Sequence, residues 1–289
     1  FFGEDREFLA LAVDVLKQPG YRYFARNLGC SVPKGCRSGA GAALLRDPGK
    51  AVAVAEAMIK AASPGLAGCK IRLGWDAASP VYLELGKALE DAGAAWLTLH
   101  PRYARQGFSG QADMACLEKL VCRVGIPVLA SGDLFKAEDA VRCLETGVQS
   151  VMFARGALSN PAIFRRYADL RVGAVVPGSG AGPIADARPD AMPPGELLAL
   201  IRRHAELARR YLPEKKIRKR GKSRKEGVSF APGLLKMRTM VPRYVRHLPG
   251  SKQLRLSLAR CESWEELETL LADFFHECPD QERQYKEQE

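Results

Sequence analysis

The residues best placed to do chemistry lie in RNLGCSVPKGCRSGAG, Arg26 to Gly41, where Cys30 sits on a glycine-rich turn between an apolar run and a helix-like run. A thiol of ordinary pKa, about 8.5, is mostly protonated near neutral pH and can act as an acid. Lys34 and Arg37 are close enough in sequence to steady the thiolate left behind. No histidine neighbours Cys30 to serve as the base that a nucleophilic cysteine wants. Read alone, Cys30 is more often one more core thiol than a catalytic one. Further along stand Lys70 and Arg72 in KIRLG, His100 and Arg102 in LTLHPR, Ser131-Gly132-Asp133 and Ala154-Arg155-Gly156. Each follows or ends a short apolar run.

Those runs dictate the scaffold. Strands are expected at Tyr21–Asn27, Gly68–Leu73, Ala94–His100, Pro127–Ser131 and Ser150–Phe153, with Phe1-Phe2 as the tail of another. Helical patterns fill Glu4–Leu16, Leu44–Ala62, Pro80–Ala92, Met114–Val124 and Lys136–Thr146, with Asp47-Pro48 as a start signal. Strands alternating with helices imply a parallel sheet covered by helices, and the polar clusters NLGC, RLGWD, HPR, SGD and ARG then gather at the carboxyl ends of its strands. In a βα-barrel that end carries the site. About six βα units are visible in residues 1–170, and a TIM-type (β/α)8 barrel needs two more, which are expected to precede Phe1. The fold class is therefore α/β, an N-terminally incomplete barrel followed by a small all-α domain.

Residues 171–195 (RVGAVVPGSGAGPIADARPDAMPPG) read as a Gly/Pro/Ala-rich linker. Residues 196–278 hold three helical patterns, Glu196–Tyr211, Pro232–Leu248 and Trp264–Cys278, interrupted by the basic loop 214–227 (EKKIRKRGKSRKEG), and 279–289 is a polar tail. A charge run of this kind is usually a solvated loop. Here it lies in a domain that also carries Lys236, Arg238, Arg243, Arg246 and His247. With 44 Lys and Arg against 33 Asp and Glu, the chain has a formal charge of +11, which suits a polyanionic partner. Eight cysteines without CxxC spacing fit free thiols in a reducing cytoplasm better than disulfides or a metal site. No apolar stretch is long enough to span a bilayer.

NLGCSVPK, KIRLGWD, LTLHPRYARQGFSGQAD, PVLASGD and MFARGALSNP, in this order and spacing, resemble the tRNA-dihydrouridine synthases. The likeness runs from Phe1 to about Leu170 and continues more loosely through KMRTMVPRYVRHLPGSKQLR, which resembles that family's helical RNA-binding domain. The resemblance implies an FMN-dependent reduction of uridine in tRNA to 5,6-dihydrouridine, with NADPH as reductant and no separate Rossmann domain. It implies that Cys30 gives a proton to uracil C5 as reduced FMN delivers hydride to C6. By the same likeness Lys70 and His100 touch the flavin, while Ser131, Gly132, Asp133, Ala154 and Arg155 hold its phosphate. Asn27, Arg72 and Arg102 lie on the substrate side, and Lys236 and Arg238 on the tRNA. A cytoplasmic monomer without bound metal is expected.

The chain departs from the family pattern at Ala25, Arg26, Ser31, Pro101, Ser131 and Ala154, and the family's first strand and loop have no counterpart in it. Two other readings stand beside the reductase: a non-catalytic or truncated RNA-binding paralogue, and a dihydroorotate dehydrogenase-type flavoenzyme acting on a free pyrimidine. The second would have no use for the basic helical region.

Overall fold

The computed structural model describes residues 1–174, 192–212, 215–217 and 228–277. The described chain forms two compact units: one holds residues 1–155 and 167–174, the other residues 156–166 and the described residues from 192 onward.

The first unit starts with α1 (Arg6–Lys17), capped by Asp5, whose carboxylate accepts from Phe8 N at 2.9 Å. Five strands follow: β1 (Phe24–Asn27), β2 (Ala67–Arg72), β3 (Leu97–His100), β4 (Val128–Ser131) and β5 (Ser150–Met152). They pair in sequence order and all in parallel. Helices α2 (Pro33–Arg37), α3 (Pro48–Ala61), α4 (Tyr82–Asp91), α5 (Ala115–Arg123) and α6 (Ala137–Leu144) make the connections. The stop before α3 is legible chemistry: Asp47 accepts from Lys50 N at 2.9 Å, Pro48 opens the helix, and the preceding Gly41–Arg46 tightens into 3₁₀ form.

Because side chains alternate along a strand, each sheet face takes every second residue. Ala67, Cys69, Ile71, Leu97, Leu99, Val128 and Ala130 form the buried face under the helices. Each such Leu, Ile or Val buried from water contributes about 1.5–3 kcal/mol. The register sets Asn27 beside Lys70, Lys70 beside Thr98, and Arg72 beside His100, so these polar residues share the other face.

Five strands are seen where about six were expected. Phe1 is not a strand, but its backbone pairs with β1: its ammonium donates to Ala25 O at 2.5 Å, and Asn27 N donates to Phe1 O at 3.0 Å. On α1, Leu9 and Val13 are buried while Phe8, Leu11 and Val15 form an exposed apolar stripe. After β5 come α7 (Arg155–Ser159) and α8 (Ile163–Ala174), so residues 171–174 of the expected linker are helical and 175–191 lie outside the described residues.

The second unit packs α9 (Pro194–Tyr211), α10 (Pro232–Tyr244), α11 (Ser251–Arg260) and α12 (Trp264–Glu277) around Leu197, Ile201, Met237, Val241, Leu258 and Leu271. It is not purely helical. An antiparallel pair, β6 (Lys215–Ile217) with β7 (Val228–Phe230), brackets the basic segment. The remainder of that segment, residues 218–227, and the tail 279–289 lie outside the described residues. No described helix is long and apolar enough to cross a membrane.

Candidate active site

Cys30 is presented by a turn that Asn27 builds. The Asn27 side-chain oxygen accepts from Gly29 N at 3.0 Å and Cys30 N at 3.1 Å, and the Cys30 carbonyl accepts from Ala42 N at 2.9 Å. This Asx turn fixes the thiol at the carboxyl end of β1. Arg26, its neighbour in sequence, points to the opposite face of the sheet. There it is fully buried and donates to the carbonyls of Phe1 (3.2 Å) and Gly3, so it lies outside the site it adjoins in sequence.

Beside Cys30 on the polar face lies Lys70, half-buried at the heart of β2. Burial and the Arg72 charge push its ammonium down to about 8, with Cys30 acting in the opposite direction. Arg72, buried, ends β2 and reaches across the turn. Its Nε donates to Gly29 O at 2.9 Å, and its Nη1 donates to Tyr103 O at 3.1 Å and Gly107 O at 2.9 Å. Among the described residues no carboxylate pairs with Lys70 or Arg72.

Arg102 was expected on the substrate side, and the structure places it otherwise. Only 1% exposed, it forms a bidentate pair with Asp133 (2.9 and 2.6 Å). Its remaining donors go to Ser109 O (3.2 Å), Gly110 O (2.6 Å) and His100 Nε2 (3.2 Å). Every guanidinium nitrogen is engaged, so this side chain braces the loop after β3 instead of facing a ligand. Because arginine only donates, His100 Nε2 is the acceptor and its proton sits on Nδ1. Burial first, then Arg72, Lys70 and Arg102, push His100 down to about 3, against the opposing pull of Asp133, so it is neutral at physiological pH.

Ser131 is buried at the end of β4. At Gly132, φ is +109°, and a Cβ would stand 2.6 Å from the His100 ring, so only glycine lets the chain pass there. Asp133 follows in a left-handed conformation, φ 52°. Burial raises its carboxyl pKa, but hydrogen bonds from Arg102 and Ala112 N together with the Arg102 and Arg155 charges hold it below the usual range. Arg155 donates to Asp133 at 3.0 Å and lies 4.4 Å above Phe108 and 4.9 Å above Phe135. Ala154 is exposed. Asp133 is the only non-glycine with positive φ among the described residues, so the extra methyl at 154 is unstrained.

Phe108, 60% exposed, escaped the sequence reading. It stands 6.3 Å from the His100 ring and 5.8 Å from the Arg72 guanidinium, and its signal was an aromatic among the small polar residues of RQGFSGQAD. Lys236 and Arg238 lie on α10 in the second unit; Lys236 is exposed, and Arg238 donates to Ala259 O.

Comparison with known proteins gives the chain a family. The model of the dihydrouridine synthase (Dus) family matches residues 1–178. The chain belongs to the dihydrouridine synthase family. Barrels of the TIM type characterise that family, and the five parallel βα units seen here are of that class. Among its relatives, a probable tRNA-dihydrouridine synthase of Treponema pallidum is 43% identical over 153 residues, 50% of this chain and 45% of the relative. One from Synechocystis, probable tRNA-dihydrouridine synthase 1, is 38% identical over 156 residues, covering 54% and 44%. A third, from Mycobacterium leprae, is 32% identical over 252 residues, 85% of this chain and 58% of the relative. The chain thus spans about half the length of the curated dihydrouridine synthase relatives it matches.

Proposed function

We propose that the chain carries the catalytic face of a tRNA-dihydrouridine synthase, which reduces the C5–C6 double bond of uridine in tRNA with FMN as cofactor and NADPH as reductant. The observation that supports this most is the row Cys30, Lys70, Arg72 and His100 on one face at the carboxyl ends of consecutive parallel strands. Cys30 holds the proton for C5, and Lys70 and Arg72 stabilise the charge left on its sulfur. The amide nitrogen of Asn27, whose oxygen is spent on the turn, faces the pyrimidine. His100, neutral, serves as a hydrogen-bonding group and not as an acid.

The residues suit a flavin mononucleotide. Lys70 supplies a cation beside a polar face, with no carboxylate partner among the described residues, as tuning of a reducible ring requires. The loops at Ser131–Asp133 and Ala154–Arg155 offer backbone N–H groups for a phosphate, with the Arg155 guanidinium beside them on Asp133. When bound, FMN supplies hydride transfer, renewed by the nicotinamide. Phe108 offers an apolar ring at the mouth. The excess of Lys and Arg, with Lys236 and Arg238 among them, serves the tRNA backbone, and the seven free described thiols suit a cytoplasmic setting.

The test is reconstitution with FMN, followed by incubation with NADPH and an unmodified tRNA transcript and a count of dihydrouridine by mass. Cys30→Ala should retain the flavin absorbance and lose turnover by about 10²-fold or more. A chain that takes up no flavin and forms no dihydrouridine overturns the reading.

A further inference from the structure

Seven cysteines fall among the described residues, all free. Cys69, Cys116, Cys143 and Cys261 are buried and Cys122 is exposed. The two of intermediate burial are Cys30 and Cys36, six residues apart on one turn. The Cys36 thiol donates to the Cys30 carbonyl with Sγ···O 3.6 Å. The turn closes tightly around that carbonyl: at Gly41, φ +61°, a Cβ would stand 2.7 Å from it and 3.2 Å from the Cys30 Cβ. A second observation ties the two sulfurs together. The Arg72 pKa is lowered by burial and then by Arg102, and Cys30 and Cys36 both pull it the other way, so both thiols lie within electrostatic reach of one guanidinium that has no carboxylate partner among the described residues.

We propose that Cys30 and Cys36 are a peroxide-responsive dithiol pair, in which oxidation of Cys30 is captured by Cys36 as a reversible disulfide. The Cys30 thiolate attacks one oxygen of hydrogen peroxide, the O–O bond breaks, and hydroxide leaves and takes up a proton as water. Sulfur is oxidised to the sulfenic acid and peroxide is reduced. The Cys36 sulfur then attacks Cys30, forming S–S and breaking S–O; the proton of Cys36 leaves with the hydroxide as a second water. An external dithiol returns both thiols. Bridging requires Cα atoms within about 4.4–6.8 Å. Helix α2, which carries Cys36, is only five residues long, and its first turn folds Cys36 back towards Cys30 through bonds from Gly35 N and Cys36 N to Val32 O, both 3.0 Å. That the disulfide would switch off turnover rests on the proton-donor reading of Cys30; the chemistry itself does not.

The experiment treats the full chain with hydrogen peroxide, blocks remaining thiols, and maps tryptic peptides by mass. Lys34 lies between the two cysteines, so a disulfide holds together two peptides that trypsin would otherwise separate. In the wild type, the expected product joins the Cys30 and Cys36 peptides and is undone by dithiothreitol. In Cys36→Ser and in Cys36→Ala, Cys30 should instead become about 32 Da heavier, the sulfinic acid, which dithiothreitol does not reverse. Equal sulfinic acid at Cys30 in wild type and variants would overturn the proposal, as would a Cys30 that stays reduced while Cys122 is oxidised. None of these readings needs flavin or tRNA, so they are independent of the proposed reductase activity.

Discussion

Two buried arginines end neighbouring parts of the same polar face and are handled in opposite ways. Arg102 is neutralised by Asp133 and saturated with acceptors, whereas Arg72 is held by the backbone carbonyls of Gly29, Tyr103 and Gly107 without a carboxylate. A buried charge that is paired and fully bonded is architecture. One that is bonded but not neutralised keeps its field for something that arrives later. The contrast divides the site into a braced side, after β3 and β4, and a charged side, around Cys30 and Lys70.

The largest effect should come from breaking the brace. Asp133→Asn leaves Arg102 buried without its counter-charge and should destabilise the first unit by about 3–5 kcal/mol, read as a lowered denaturation midpoint. A midpoint within experimental error of wild type would mean that water already reaches the pair. Arg72→Met should cost less, about 1–3 kcal/mol, because the three carbonyls lose a donor while a buried un-neutralised charge is removed, with kcat/KM for tRNA reduced by about 10²-fold. Equal stability losses in the two variants would dissolve the distinction.

Lys70 gives the sharpest signal. Its folded pKa, about 8, lies below the ordinary lysine value of 10.5, so between these the unfolded chain binds more protons than the folded one. The strain of the buried ammonium is therefore full below about pH 8, and stability gained from this group rises from pH 8 towards 10.5. Lys70→Met should be more stable than wild type at pH 7, by about 1–3 kcal/mol, and should lose that rise. A wild-type stability that is flat over this window would place the Lys70 nitrogen in water.

Much of this was legible in the sequence. Apolar runs gave all five strands to within a few residues, and Asp47-Pro48 gave the start of α3, because both signals are local. The fates of Arg72 and Arg102 were not. Both read as cations after strands, and what separates them is a partner 31 residues downstream of Arg102 that only the tertiary fold brings near. Arg26 stays out of the site for a simpler reason: adjacent residues of a strand face opposite ways, so being next to Asn27 turns it to the other face. The β6–β7 pair hid inside a charge run whose composition signals a solvated loop. Helix α11 went unseen because the helical pattern ended at Leu248, and Gly250, at φ +69°, opens the next helix without a side-chain cap to announce it.

The stripe of Phe8, Leu11 and Val15 on α1 also bears on how the protein behaves as a colloid. Chains with such an apolar flank and a formal charge of +11 should be kept apart at low salt by mutual repulsion. Added salt shortens the reach of that repulsion to about 8 Å at physiological ionic strength, and bound polyanion cancels it outright. Turbidity is therefore expected near charge balance with added nucleic acid, and a titration past that point should clear it; a solution that stays clear throughout would mean that the α1 stripe does not drive association.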